Sequence, residues 1–221
     1  MAGLIINGQE VLVPGLTITN WMDDSTLRIP ERDMHPRPDG RRRDDKPGAL
    51  VHGVTLHSTK GWPDHDHPVQ QQLLPGCGPS KHHAEATAHY WSTSERVGAS
   101  HLIVDHDMLV VCIADLAIEA AYHCSGVNNW TIGIEIYQGS DGEFYDKQLD
   151  AAVVLVNFLC EYFTIPKVIP PPYTGQPMQK IMDGQWAGVF GHRDASDNRG
   201  FGDPGDFIFT KLLAAGFNVE V

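Results

Sequence analysis

His57 closes an apolar, β-branched stretch in VTLHST, and His192 closes another in VFGHRD, with Asp203 eleven residues further on in GDPGDF. Side chains at a strand end are held stiffly. Two imidazoles and one carboxylate are a donor set that suits a catalytic zinc ion and leaves a fourth position for water. Such an ion brings the pKa of bound water to about 7 and polarises a carbonyl beside it. Taken singly, each residue also has an ordinary role: a hydrogen-bonded histidine at a strand end or, for Asp203, the N-cap of a helix. Glu135, in TIGIEIYQ, is the fourth candidate. Period-two alternation puts Gly133, Glu135 and Tyr137 on one face of a strand and Ile132, Ile134 and Ile136 on the other. With the isoleucines in the core, Glu135 faces whatever covers the opposite side. A carboxylate there can take a proton from water and pass it to a leaving nitrogen; the alternative is a solvent-facing Glu on a half-exposed strand.

The elements that must position these residues follow from pattern. ALVHGVTLHST reads as a strand, Ala84 to Glu95 as a helix free of Gly and Pro, and HLIVDHDMLVVCI as a hairpin turning at Asp105 to Asp107. WTIGIEIYQ is another strand. Asp146 caps a helix over Lys147 to Phe163, whose Leu149, Val153, Val156, Leu159, Cys160 and Phe163 recur at helical spacing. A short strand, Gly188 to Gly191, leads to His192, and a last helix runs from Pro204 or Asp206 to Ala215, stopped by Gly216. Residues 61–82, with Trp62, and 166–187 are loop insertions rich in Pro and Gly. This order predicts a mixed α/β (α+β) fold, a mixed central β-sheet flanked by helices. Residues 1–48 read as an N-terminal arm, packed on or extending from a domain spanning 49–221.

Composition excludes several classes. The chain has 221 residues and a formal charge of −12, which argues against a nucleic-acid partner. No apolar run approaches the roughly 18 to 20 residues needed to span a bilayer, so no membrane insertion is expected. The basic cluster Arg41 to Arg43 is followed by Asp44 and Asp45 and reads as a solvated loop. Cys77, Cys112, Cys124 and Cys160 are far apart with no Cys-x-x-Cys pair, which gives neither a zinc finger nor a disulfide scaffold. Of the remaining histidines, His65, His67, His82 and His83 read as exposed loop residues and His101 as structural. The N-terminus lacks a recognisable secretory signal. The protein is therefore expected to stay in the cytosol or to leave by a route that needs no signal peptide.

In order, VTLHST, ASHLIVDHDMLVVCI, AAYHCSGVNNWTIGIEIYQ and GVFGHRDASDNRGFGDPGDF resemble the type 2 N-acetylmuramoyl-L-alanine amidase family, whose fold peptidoglycan-recognition proteins and phage amidase endolysins share. The third segment is the most specific, being similar to the family's Trp-His-Ala-Gly, Asn and Ile-Gly-Ile-Glu; the fourth is similar to its Gly-His-x-Asp and Asp-Pro-Gly. The resemblance spans roughly residues 50–216. It implies one zinc ion held by His57, His192 and Asp203, with Glu135 as catalytic base and then acid. It puts His123 in the substrate groove with Asn129 and Trp130 beside it, Trp130 serving as packing or as a sugar platform. The implied reaction is hydrolysis of the bond between N-acetylmuramic acid and L-alanine in peptidoglycan or a muropeptide. A non-catalytic binding module of the same fold and a zinc peptidase acting on stem peptides are the alternatives. The chain departs from the family at Phe201 and Gly202, where a Lys or small hydroxyl residue often precedes the third ligand, and at Ser100, where some members have Tyr. Arg193 and Arg199 are the candidates to replace that Lys.

Overall fold

Thr131–Ile136 is the strand around which the molecule is built, because its alternation lets one face pack and the other open. The computed structural model describes residues 2–37, 51–59, 71–140, 142–197 and 199–220. The predicted boundary between residues 48 and 49, the cluster Arg41 to Arg43 with Asp44 and Asp45, and Trp62, His65 and His67 lie outside the described residues. Six strands form one sheet: β1 (Thr17–Asn20), β2 (Gly53–Ser58), β3 (Leu102–Val104), β4 (Leu109–Cys112), β5 (Thr131–Ile136) and β6 (Gly188–Gly191). Their order is β6-β2-β5-β3-β4-β1. The sheet is mixed, since β3 and β4 form an antiparallel hairpin while the other neighbours run parallel.

Three longer helices cover it: α1 (His83–Thr93), α2 (Asp146–Phe163) and α3 (Asp206–Ala214). Ile132, Ile134 and Ile136 are fully buried with Leu149, Leu155, Val156 and Leu159 of α2 and Ile208 and Leu212 of α3. Burial of each such side chain stabilises by about 1.5–3 kcal/mol. The hairpin divides its side chains by the same period. Leu102, Val104 and Val110 join that core, while Ile103 and Val111 turn to the other face against Ala84 and Ala88 of α1. Asp105, at the hairpin turn, accepts the Ala84 N–H at 2.8 Å and so fixes the start of α1. No helix among the described residues is long and apolar enough to cross a membrane. The four cysteines are free thiols, with Cys77 exposed and the others buried.

Two local readings change. Asp146 is the first residue of α2 rather than its cap, since the Gln148 side chain accepts the Tyr145 N–H at 3.2 Å and frees Asp146 to pair with Lys211. The stretch 166–187 is not all loop: Val168–Ile169 pairs with Asn218–Val219, and Gln179–Met182 forms one helical turn.

The N-terminal residues enter the sheet. Leu4–Ile6 and Gln9–Val11 form a hairpin whose turn is held by Asp115, which accepts the N–H groups of Asn7 and Gly8 at 2.9 and 2.6 Å. The strand β1 then lies along β4, with Ile18 beside Val110. Met34–Pro36 pairs with Glu119–Ala121 and delivers Arg37 into the interior. The Arg37 guanidinium donates to the carbonyl oxygens of Leu116, Asn128, Asn129 and Thr131 at 3.0 to 3.3 Å. Burial pulls its pKa down to about 10, so it stays protonated at neutral pH. Arg37→Met, which keeps the bulk and removes the donors, is expected to cost about 1–3 kcal/mol by stranding buried acceptors. A urea titration checks this, and an unchanged midpoint would show that those carbonyls find other partners.

Candidate metal centre and substrate groove

The parallel register sets His57 directly opposite Glu135 and Leu56 opposite Gly191, so His192 leaves the end of β6 at the level of His57. Asp203 reaches the same point from the loop before α3. All three are buried, and one ligand atom from each falls within 4.8 Å of the others. His192 Nδ1 lies 3.0 Å from His57 Nδ1 and 3.2 Å from Asp203 Oδ2, and His57 Nδ1 lies 3.8 Å from Asp203 Oδ1. Two ring nitrogens at that distance cannot both carry a proton towards each other. At least one lone pair, together with a carboxylate oxygen, therefore faces a common point. Burial, followed by the neighbouring imidazoles, holds His57 well below the usual histidine range, so its ring is neutral as a ligand must be. A nitrogen, nitrogen, oxygen set with a side open to a groove fits a zinc ion.

Asp203 is anchored from its own surroundings. Ser58 N–H donates to its Oδ1 at 3.0 Å, and Arg199 Nε lies 3.3 Å from its Oδ2. The helix-capping alternative falls away because Gly205, not Asp203, precedes α3. The two candidate arginines also separate. Arg193 is buried and committed, donating to the Phe201 carbonyl at 2.8 Å and to Asp206 at 2.6 Å. Arg199 lines the groove. Phe201 is exposed and packs edge-on against Tyr173, and Ser100 is buried in the groove wall with its hydroxyl unpartnered.

Glu135 opens into the same groove, which encloses about 740 Å³. Its walls include His83, Tyr90, Arg96, Tyr122, Tyr137 and Arg199. Glu135 Oε2 is buried without a hydrogen-bond partner. Desolvation first, then the charge of Asp203, pushes the Glu135 carboxyl well above the usual carboxylate range, against the pull of Arg199 and Arg96. A carboxyl raised in this way binds a proton more readily than an exposed one, which suits a group that must take up and return a proton. Tyr137 shares its face, as the alternation predicts. The wall residues from α1 and its flanks carried no comparable sequence signal. His83 is not a loop histidine; it opens α1 and stacks on Tyr137 at 4.3 Å. His82 is exposed and pairs with Glu85 at 2.6 Å. His101 is fully buried, its Nδ1 accepting the Gly133 N–H at 2.9 Å.

His123 lies half-buried in the groove wall, 3.0 Å from His57 Nε2. Burial, with His192 and Arg37 nearby, pulls its pKa down to about 3. Its ring sits against Gly133 of β5, where an added Cβ would stand 2.5 Å from His123 Cγ. Asn129 and Trp130, expected beside it, sit outside the groove. Asn129 is exposed and contacts His35 Nε2 through its side-chain oxygen at 2.5 Å. Trp130 is buried over Gly53, stacked on His52 at 4.5 Å, and so packs rather than offering a platform for a sugar. Gly133→Ala is expected to cost about 1–3 kcal/mol by forcing the His123 ring off its site. Chemical denaturation reads that cost, and unaltered stability would mean the ring has room to retreat.

The N-acetylmuramoyl-L-alanine amidase family matches residues 47–206 of the chain. Among solved structures, peptidoglycan recognition proteins LCa and LCx, in an ectodomain complex with tracheal cytotoxin, are similar in fold: 15% identity, 92% of this chain and 98% of that chain covered, TM-score 0.52. A mutant endolysin from Bacillus subtilis is 19% identical over 90% of this chain and 93% of that chain, with a TM-score of 0.47. The N-acetylmuramoyl-L-alanine amidase LysC from Clostridium intestinale URNW is 15% identical over 77% of this chain and 87% of that chain, with a TM-score of 0.44. No curated protein matches the sequence.

Proposed function

The chain belongs to the N-acetylmuramoyl-L-alanine amidase family, and from that premise we propose that it hydrolyses the amide joining N-acetylmuramic acid to L-alanine in peptidoglycan, with one zinc ion. The observation that carries this reading is the convergence of His57, His192 and Asp203 at the floor of a groove into which Glu135 also opens. When bound by those three side chains, zinc supplies Lewis acidity, lowering the pKa of water and polarising the scissile carbonyl.

The protein's own groups do the rest. Glu135 takes the proton of the attacking water on its unpartnered Oε2 and returns it to the alanine nitrogen as the bond breaks. Burial raises its proton affinity towards that of the groups it must serve. Arg199 is the cation nearest Asp203 in the groove and is assigned to donate to the developing oxyanion, a role typically worth a factor of about 10² to 10³. His123 closes the groove behind His57, while Tyr90, Tyr122 and Tyr137 offer apolar faces to the sugar and stem peptide. We assign residues 1–48 as an arm packed on a catalytic domain of 49–221, a packing supported by the pairing of β1 with β4 and by the buried Arg37.

Digestion of purified peptidoglycan, followed by mass spectrometry, tests the reaction. Stem peptides beginning with a free L-alanine are expected, and a chelator should suppress them. An internal peptide cut would instead make the protein a peptidase, and no release with zinc bound would make it a binding module. Glu135→Ala is expected to lower turnover by at least about 10²-fold while zinc content holds. Asp203→Ala should lose zinc and activity together. Full turnover in Glu135→Ala, or stoichiometric zinc in Asp203→Ala, would overturn the assigned roles.

A further inference from the structure

Behind the metal centre runs a chain of polar contacts with one end that cannot be reversed. The Val127 carbonyl only accepts, and Thr131 Oγ1 lies 2.9 Å from it, so the Thr131 hydroxyl proton points there. The Thr131 oxygen is then an acceptor for His123 Nε2, 3.2 Å away, and that nitrogen must carry the ring's proton. A neutral imidazole has one proton, which leaves His123 Nδ1 bare. His57 Nε2, 3.0 Å from it, must therefore be the donor. The proton of His57 is thus placed on its far nitrogen. The lone pair is left on Nδ1, the atom that faces His192 Nδ1 and Asp203.

The opposite ordering is the competitor. Thr131 would donate to His123, His123 Nδ1–H would donate to His57 Nε2, and the proton on His57 Nδ1 would block the metal position. That ordering gives up the 2.9 Å bond to Val127. The anchor itself is rigid. Val127 sits in a turn in which its carbonyl also accepts Trp130 N–H, and Asn128 Oδ1 accepts the N–H groups of His123 and Cys124 at 3.0 and 2.7 Å.

We propose that Thr131 is a positioning residue that sets the tautomer of His57 through His123, so that His57 Nδ1 is presented bare to the ion before the ion arrives. The proposal rests on the zinc reading of the site and says how His57 is prepared for the ion. A partner that fixes a ligand's tautomer typically contributes 10- to 100-fold to metal affinity.

The direct readout is the long-range ¹H–¹⁵N correlation spectrum of the histidine rings in the metal-free protein, which distinguishes the two tautomers without any turnover. Protons on Nε2 of both His57 and His123 are expected. Zinc affinity, measured by competition with a chromophoric chelator, should fall about 10- to 100-fold in Thr131→Val and recover in Thr131→Ser, which restores the hydroxyl. The His123 tautomer should follow the same pattern. A proton on His123 Nδ1 in the unaltered protein would overturn the proposal alone, as would wild-type zinc affinity in folded Thr131→Val. Should that variant not fold, the unaltered protein's spectrum still decides. Failure of the unaltered protein to bind zinc would overturn this proposal and the metal reading together. Zinc binding and the expected tautomers without peptidoglycan cleavage would uphold the proposal and remove only the amidase assignment.

Discussion

In a strand buried on one face, a slip of a single residue would turn Ile132, Ile134 and Ile136 out of the core and carry Glu135 into it. That register is fixed by apolar packing against α2 and α3, far more than by anything polar at the site. Once β5 is fixed, parallel pairing fixes β2 and β6, and the ends of three strands come level. His57, Glu135 and His192 then need no further device to meet. Ligand sites gather at the carboxyl ends of parallel strands for this reason, since neighbouring side chains there project side by side from a stiff support. The cost of the functional side is met on the other side of the sheet, where the isoleucines are wholly removed from water.

The polar side has its own accounting. A buried carboxylate and two buried imidazoles are costly to desolvate unless each finds a partner. Asp203 has Ser58 N–H and Arg199, while His57 has His123 behind it. On the mutual face of the three residues at least one of the two ring nitrogens carries no proton and a carboxylate oxygen lies beside them, an arrangement that suits a cation. Glu135 differs: its Oε2 has no partner at all, and desolvation keeps its proton affinity high. On the proposed reading, the first set would hold positive charge and Glu135 would exchange a proton.

The sequence shows the elements through periodicity, and so the strand carrying Glu135, the hairpin at Asp105 and a helix over Lys147 to Phe163 are all legible in it, the structure starting that helix one residue earlier. His57 and His192 could be singled out because each ends an apolar strand, and the structure brings both to Asp203. What could not be read depends on partners distant in sequence. Arg193 and Arg199 look alike in the chain; only the bonds of the first to the Phe201 carbonyl and Asp206 show that it is engaged elsewhere. Trp130 could pack or face a sugar until Gly53 and His52 were seen beneath it. The strand Thr17–Asn20 is four residues long among Gly and Pro, and its identity as a strand comes from pairing with β4 across some ninety residues. Thr131 looked like an ordinary β-former, and its hydroxyl acquires meaning only through the turn that brings Val127 beneath it.

The family match begins at residue 47, yet the segment before it is not an appendage. If the mixed sheet ended at β4, that strand would be an unpaired edge, and β1 supplies its partner. Arg37 goes further. Three of the four carbonyls it holds belong to Asn128, Asn129 and Thr131, the residues that join the Val127 turn to the start of β5. The same short stretch carries the hydroxyl that faces His123 and the carbonyl that orients it. A buried guanidinium with its donors satisfied by backbone is costly to move, so it makes a firm clamp. The N-terminal segment thus bears on the proposed metal centre through the backbone it immobilises, two hydrogen-bond steps behind His57, without contributing a side chain to the His57, His192 and Asp203 cluster.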